Sequence, residues 1–421
     1  MDVVTTTTDS QRAFVKSVSA TLAGYRGALI ERFPERERLI DQLLLCLLTG
    51  NNLIVFGTTG TGKSLLIKTL LGNIVGKGTK GEEKQVFLIQ LDSETTADAL
   101  IGPPNLALLE QGILQPSVDG YLPTAHFAWI EELFDAPAVL RSLLDIFNEH
   151  QLQAGRFVHE SPLMTAIGTT NRTPDELLRM FPHLQLEAVL DRFLCTARVA
   201  ALEDPENVQT IIGNHLMNVN ETPLGTQIRF EDLQTLVALI GSTNQFPSTQ
   251  FTRVYADLVR TLSAEFKRAF GNPITDRRKA WMTQAIEASA IIHGRAELFF
   301  DDMYAIGHCL APDSNGPEEE LFRSVAIPLI EAAKKAYDER VDDAVVLQLD
   351  QIEADLKALE AQIDSRSWPA NATQAGEALA ELRRLENALS GVKPTLITNE
   401  LRRRALVADV QKARATAVGK S

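Results

Sequence analysis

The stretch Leu53-Ile54-Val55-Phe56-Gly57-Thr58-Thr59-Gly60-Thr61-Gly62-Lys63-Ser64-Leu65 constrains this chain more than any other. Four apolar residues precede the pattern G-x-x-x-x-G-K-S, and Leu66-Ile67-Lys68-Thr69-Leu70 continue beyond it. That order reads as a buried strand, a glycine loop and a helix, which is the setting a phosphate-binding P-loop requires. Gly57, Gly60 and Gly62 let the backbone turn tightly and bring its N–H groups against phosphate oxygens. The helix N-terminus adds partial positive charge. Lys63 is expected to reach the β- and γ-phosphates of ATP, and the Ser64 hydroxyl to bind Mg²⁺. Thr58, Thr59, Thr61 and Leu65 complete the nucleotide-binding set. A glycine-rich turn that merely precedes a helix is the plainer alternative; the strand and the helix on either side weigh against it.

The chain has 421 residues, enough for two or three domains, and a formal net charge of -14. An acidic chain is a poor partner for nucleic acid or an anionic membrane, because phosphates must be neutralised by Lys and Arg. Cys46, Cys195 and Cys309 are far apart in sequence. They offer neither a disulfide framework nor a zinc pattern and read as small buried hydrophobes. No apolar run is long enough to span a bilayer, and the N-terminal residues lack the charge-then-apolar order of a signal peptide. With ATP chemistry, these features give a cytoplasmic expectation.

Along the chain, residues 1–28 read as a polar tail and a short amphipathic helix carrying Ala13, Val15, Val18 and Leu22. Pro34 suits a helix start, and Leu39, Ile40, Leu43, Leu44 and Leu47 give that helix an apolar face. After the P-loop helix, Gln85–Leu91 is a second strand. Asp92 to Asn105 begins as a capped helix and breaks at Gly102-Pro103-Pro104, so an insertion interrupts the passage to the third strand, His126–Glu132. That strand is apolar and then abruptly acidic. Glu131 and Glu132 fit a Mg²⁺-supporting acid followed by a water-activating one. The alternative is a helix N-terminus enriched in acids, since Leu133 to His150 is helical in pattern. Gln151 to Val158 resembles a hairpin turning at Gly155. A fourth strand, Leu163–Thr170, ends at Asn171, which either orients water beside the γ-phosphate or caps the next turn. Arg192 either enters a neighbouring subunit's site or pairs with Asp191 beside it.

Taken in order, the P-loop, the Glu131-Glu132 pair, Asn171 and Leu190-Asp191-Arg192-Phe193 resemble an AAA+ ATPase of the MoxR group. Gly120-Tyr121-Leu122-Pro123, Ile146-Phe147-Asn148-Glu149 and Thr275-Asp276-Arg277-Arg278 are most similar to its RavA branch. The resemblance covers residues 30 to 310. It implies an α/β P-loop core, a parallel sheet flanked by helices with a helix-two insertion at 92–123, and an all-α lid. It also implies a homo-oligomeric ring, commonly a hexamer, with ATP at subunit interfaces. Arg192 would match the arginine finger acting in trans, Asn171 the sensor, and Arg277, in preference to Arg278, the lid arginine that senses the γ-phosphate in cis. Members act as chaperone-like remodelling ATPases paired with a von Willebrand factor A domain partner. Two departures stand out. Glu131 replaces the usual Asp, displacing a carboxylate by roughly an ångström where rate depends steeply on geometry. No run of alternating strands follows residue 312, where RavA carries a β-rich domain.

The expected organisation is therefore an N-terminal tail and helix (1–28), a nucleotide-binding α/β domain (29–200), a helical lid (201–311) and a helical C-terminal region (317–421). A turn-rich linker, Ala311 to Pro317, separates the last two. In the C-terminal region Leu347, Leu349, Ile352, Leu356, Leu359 and Ile363 recur at near-heptad spacing and suggest a helical bundle that also makes contacts. The expected function is ATP-driven remodelling or activation of a partner protein. The first rival is a slow or inactive nucleotide-gated scaffold, motivated by Glu131. A P-loop small-molecule kinase and a nucleic-acid motor are weaker rivals.

Overall fold

The computed structural model describes residues 9–154, 156–181, 186–202, 204–216, 219, 222–242, 249–336, 343–364, 368, 372–392 and 397–420. The chain divides into two compact units. One comprises the residues up to Leu298 together with Ala305–Ile330; the other comprises Phe299–Tyr304 and the chain from Glu331 onward.

The first unit opens with α1 (Asp9–Arg32) and α2 (Glu37–Thr49), then β1 (Leu53–Gly57), α3 (Lys63–Gly72), β2 (Ile74–Val75) and β3 (Val86–Gln90). Next come α4 (Ala97–Ile101), α5 (Leu106–Leu109), β4 (Phe127–Glu131) and α6 (Pro137–Glu149). A hairpin, β5 (Gln151–Ala154) and β6 (Phe157–Glu160), leads to β7 (Thr165–Thr170), α7 (Pro174–Met180), α8 (Leu186–Leu190) and β8 (Cys195–Val199). The expected turn residue of that hairpin, Gly155, lies outside the described residues. Helices α9 (Pro205–Leu216), α10 (Phe230–Ser242), α11 (Thr249–Phe270), α12 (Asp276–Ile292) and α13 (Ala305–Leu310) follow, with a two-residue strand β9 (Ile228–Arg229) that pairs with β2. Helix α14 (Pro317–Ala336) comes next.

Five strands form one sheet in the order β3-β4-β7-β1-β8, every pair parallel. Successive strands in sequence are thus separated by crossovers, and their C-terminal ends gather along one edge, where ligands sit in open α/β sheets. β1 is buried throughout its apolar residues, as a central parallel strand requires. One face of the sheet packs Phe56, Ile130, Leu133, Phe134, Leu143 and Phe147 into a continuous core. The opposite face is covered by α2, buried from Leu39 to Thr49. Two polar residues on that helix are tied to neighbours. Gln42 donates to the Thr196 and His308 carbonyls at 3.2 and 2.9 Å, and Asp41 accepts two bonds from Arg26 at 2.5 and 3.0 Å.

The N-terminal helix is longer than its sequence suggests. Residues 1–28 read as a tail and a short helix, yet α1 continues to Arg32, with Tyr25 and Leu29 fully buried. The Tyr25 hydroxyl donates to the Leu70 carbonyl at 2.6 Å, tying α1 to the helix after the P-loop. Hydrogen bonds tie the start of the turn-rich stretch 311–317 to β8 and α2. Pro312 accepts from the Arg198 N–H at 2.8 Å, and Arg38 donates to the Ala311 carbonyl at 2.8 Å.

In the second unit, α15 (Asp343–Ile363), α16 (Ala372–Gly391) and α17 (Ile397–Lys420) enclose a core containing Leu349, Ile352, Leu356, Leu382, Leu385 and Val410. Leu347 departs from the expected seam and is 70% exposed. The 3-4 spacing runs 349, 352, 356, 359 and 363, and position 347 falls off that stripe.

Arg26 and Asp41 are both buried in side chain, and removing Arg26 strips the buried Asp41 carboxylate of its two guanidinium bonds. Arg26→Ala is expected to destabilise the protein by about 3–5 kcal/mol in urea unfolding, whereas Arg26→Met with Asp41→Leu is expected to recover most of that loss.

Candidate nucleotide site

The loop between β1 and α3 is shaped by two glycines in left-handed conformation, Gly60 (φ 83°) and Gly62 (φ 80°). Gly57 has a different reason. A Cβ there would lie 2.6 Å from the Val199 carbonyl oxygen on β8, so close strand packing demands its glycine. Thr61 closes the loop by donating to the Thr58 carbonyl at 2.9 Å.

Lys63 and Ser64 start α3. Lys63 is only 8% exposed. Its ammonium donates to the Gly57 carbonyl, to the Thr58 carbonyl at 2.8 Å and to Asn171 Oδ1 at 3.1 Å. Burial pushes the Lys63 pKa below the usual lysine value of 10.5, while Glu132 and Glu131 pull it back upward. Ser64 Oγ donates to Glu131 Oε1 at 2.6 Å. Glu131 is the last residue of β4 and Asn171 follows β7, so the strand order brings both beside the loop. Asn171 holds Glu132 twice: its backbone N–H reaches Oε2 at 3.2 Å, and its side-chain amide donates to Oε1. Glu132 itself has a positive φ of 51°. A cavity of about 430 Å³ opens here, lined by residues 59–65 with Gln90, Glu131, Glu132, Thr169 and Asn171. The fourth-strand expectation for Asn171 as a site residue and the acid-pair expectation thus meet in one place.

A second cavity, about 300 Å³, lies on the other side of Gly60–Gly62. Phe33, Pro34, Leu65, Val208 and Ile211 give it apolar walls suited to a planar ring, with Arg36 among its polar lining. Arg36 donates to the Ala200 and Thr61 carbonyls at 2.8 and 3.3 Å, and burial lowers its pKa. Glu35, at φ 58°, accepts from the Asp204 N–H and Asn207 Nδ2 at 3.2 and 2.9 Å and so holds the start of α9 over the Phe33-Pro34 turn. Of these residues the sequence singles out Leu65 for the nucleotide and Pro34 only as a helix start; Phe33, Arg36, Val208 and Ile211 go unmarked. The available signal was Pro34 ahead of α2; nothing local pointed to α9.

Arg192 and Arg277 line neither cavity. Arg192, in the turn after α8, donates back to the Ala188 carbonyl of that helix at 3.0 Å. Asp191 turns not to Arg192 but to Thr275, whose hydroxyl donates to Oδ1 at 2.6 Å, and to Arg277, 3.9 Å from Oδ2. Arg277 also lies over the Trp281 ring, 5.8 Å from its centroid. This neighbourhood groups Arg277 with the Arg192 turn, not with Lys63, and gives the cis reading no support. Arg278 is occupied by the Leu194 carbonyl at 3.3 Å and the Cys309 carbonyl.

The parallel sheet with a phosphate loop at its C-terminal edge and paired acids one strand removed defines a P-loop protein of AAA+ ATPase type. Residues 21–238 match the family bpMoxR, described as the MoxR domain in the MoxR-vWA-beta-propeller ternary systems, and the chain belongs to that family. It is 27% identical over 286 residues to the uncharacterized protein MJ0812 of Methanocaldococcus jannaschii, spanning 67% of this chain and 69% of that one. It is also 27% identical over 290 residues to MJ0079 of the same organism, spanning 68% and 69%. A crystal structure described as a candidate ATPase from Cytophaga hutchinsonii shares the fold, with a TM-score of 0.54 at 18% identity, over 77% of this chain and 97% of the other. Among the described residues, no helix is long and apolar enough to cross a membrane.

A triphosphate brought against the Lys63 ammonium favours its charged form. Nucleotide affinity is therefore expected to fall as pH rises through the lowered Lys63 pKa, below 10.5. Titration of a fluorescent ATP analogue from about pH 7 to about pH 10 checks this. Lys63→Met is expected to weaken binding about 10- to 100-fold and to flatten the pH curve.

Proposed function

We propose that this protein hydrolyses ATP and uses the cycle to remodel or activate a partner protein. The observation that carries the reading is the hydrogen-bonded series Lys63–Asn171–Glu132 beside the Ser64–Glu131 pair. Lys63 and the loop N–H groups neutralise phosphate charge. Glu132 accepts the proton of the attacking water, and Asn171 fixes the carboxylate that does so. The oxygen donors of Ser64 and Glu131 fit Mg²⁺, a hard cation that takes few protein ligands and completes its shell with water and phosphate oxygens. When bound there, Mg²⁺ supplies charge neutralisation at the β- and γ-phosphates.

The catalytic set is incomplete within one copy of the chain. Arg192 and Arg277 stand outside both cavities, on a shared side of the first unit, which supports their action on a neighbour's nucleotide in a homo-oligomeric ring, a hexamer by family resemblance. This replaces the expectation that Arg277 acts in cis. Helices α9 to α13 then serve as the lid, and the segment 92–123, with its two short helices, as the helix-two insertion. Assignment to the RavA branch rests on the motifs at 120–123, 146–149 and 275–278. The family description supports a von Willebrand factor A domain partner and adds a β-propeller protein to the same system. The net charge of -14 supports a protein client over nucleic acid or membrane, and a cytoplasmic setting.

Two observations favour a second reading. Glu132 is engaged by Asn171, and Glu131 replaces Asp, as in a gated scaffold that binds ATP and turns it over little. Steady-state phosphate release decides: wild type is expected to exceed Glu132→Gln by about 100-fold, and equal, negligible rates favour the scaffold. For the trans site, Lys63→Ala and Arg192→Ala are each expected to be inactive alone. Mixing them is expected to restore activity, because one interface then joins an intact Lys63 to an intact Arg192. No recovery on mixing would count against Arg192 acting across an interface.

A further inference from the structure

Glu132 and Asn171 sit on different loops, one after β4 and one after β7. A second pair of side chains ties those loops together. Arg172 Nε donates to Asp135 Oδ1 at 2.8 Å, and Nη2 donates to Oδ2 at 3.1 Å. This is a bidentate fork, which fixes both distance and plane. Each partner lies close in sequence to a site residue. Arg172 follows Asn171 directly. Asp135 closes the turn that begins at Glu132, its N–H donating to the Glu132 carbonyl at 2.8 Å.

Further bonds transmit the clasp to the site. The Leu133 N–H donates to the Thr169 carbonyl at 3.0 Å, so the Glu132 turn is pinned to β7 from the inside. The Arg172 N–H donates to Thr170 Oγ1 at 3.2 Å. Arg172 Nη1 also reaches Met180 Sδ at 3.2 Å, at the far end of α7. A cavity of about 430 Å³ has Glu132, Asn171, Asp135 and Arg172 together in its wall, so the clasp borders the space of the proposed reaction. The Arg172 and Asp135 side chains are 33% and 25% exposed. A pair so open to solvent adds little to global stability. Its geometric effect is larger, because it spans two loops that must hold an acid and an amide in register.

We propose that Arg172 and Asp135 are a positioning pair: their clasp sets the separation of the two loops and thereby aligns Glu132 against Asn171 for hydrolysis. The inference rests on the ATPase reading above. Arg172→Ala and Asp135→Ala are each expected to lower kcat about 10- to 100-fold while KM and the nucleotide Kd stay within about twofold of wild type. The double variant is expected to be no worse than either single one, since both remove one contact. Arg172→Lys keeps the charge but loses the fork and is expected to fall between. Arg172→Asp with Asp135→Arg restores an ion pair and is expected to regain part of the lost kcat.

The inference is overturned if Arg172→Ala keeps kcat within about twofold of wild type, or if the two single losses multiply in the double variant. In either case a wild-type rate well above Glu132→Gln leaves the ATPase reading in place. A wild-type rate equal to Glu132→Gln removes that reading and this inference with it. Should Arg172→Ala unfold, Arg172→Lys and the exchanged pair carry the test; a folded Arg172→Lys at full kcat overturns the proposal.

Discussion

A buried ammonium cannot stand without oxygen partners, and that requirement at Lys63 organises the site. Two of its partners are the Gly57 and Thr58 carbonyls at the base of its own loop; the third is Asn171 Oδ1 from another strand. An amide facing a cation must turn its oxygen toward it, so its NH₂ end points the other way. That end donates to Glu132 Oε1. The charge of Lys63 thus fixes the polarity of Asn171, and Asn171 fixes the carboxylate of Glu132. One electrostatic demand at the P-loop is passed through an amide to the acid that would handle water.

The sheet order makes this possible. β7 lies between β1 and β4, so Asn171 emerges between Lys63 and Glu132 and has one on each side. Parallel strands place all three at the same edge. The pairing Phe56 with Thr170 and Ile130 with Gly168 aligns the strand ends closely enough for side chains to meet. Gly168 itself belongs to this alignment, since a Cβ there would lie 2.7 Å from Leu133 Cδ2, just beyond the Glu132 turn.

What the sequence carried was local. The P-loop announces itself through strand, glycines and helix within a dozen residues. The acid pair and Asn171 do so by standing at the ends of apolar runs. The apolar-walled second cavity was not legible, because Phe33 and Leu65 meet Val208 and Ile211 from far along the chain, and α9 shows no feature of its own that predicts this. The Arg172–Asp135 clasp was hidden for the same reason: 37 residues separate its partners. The reach of α1 to Arg32 was not legible, because Gly24 and Gly27 interrupt its helical pattern. Burial of Tyr25 and Leu29 outweighs a propensity cost of about 1 kcal/mol per glycine. The place of Arg277 beside Asp191 was not legible, because a motif gives order in the chain but not the side of the domain on which a side chain lies.

Adjacent residues of a strand point to opposite faces, so two consecutive acids cannot both serve one site on a regular β4. Glu131 keeps strand geometry and faces Ser64, with its longer side chain still bonding the hydroxyl at 2.6 Å. The extra methylene relative to Asp therefore does not leave Ser64 without its carboxylate. Glu132 must then be turned by the backbone, and it adopts a left-handed φ of 51°. For a residue other than glycine this costs on the order of 1 kcal/mol or more and persists only where surroundings hold it. The Leu133–Thr169 bond, the turn closed by Asp135 and the two bonds from Asn171 are those surroundings. The strain lies at the acid proposed to handle water, and it is the physical condition under which a Glu-Glu dipeptide supplies one carboxylate toward the metal side and one toward the water side of the same nucleotide.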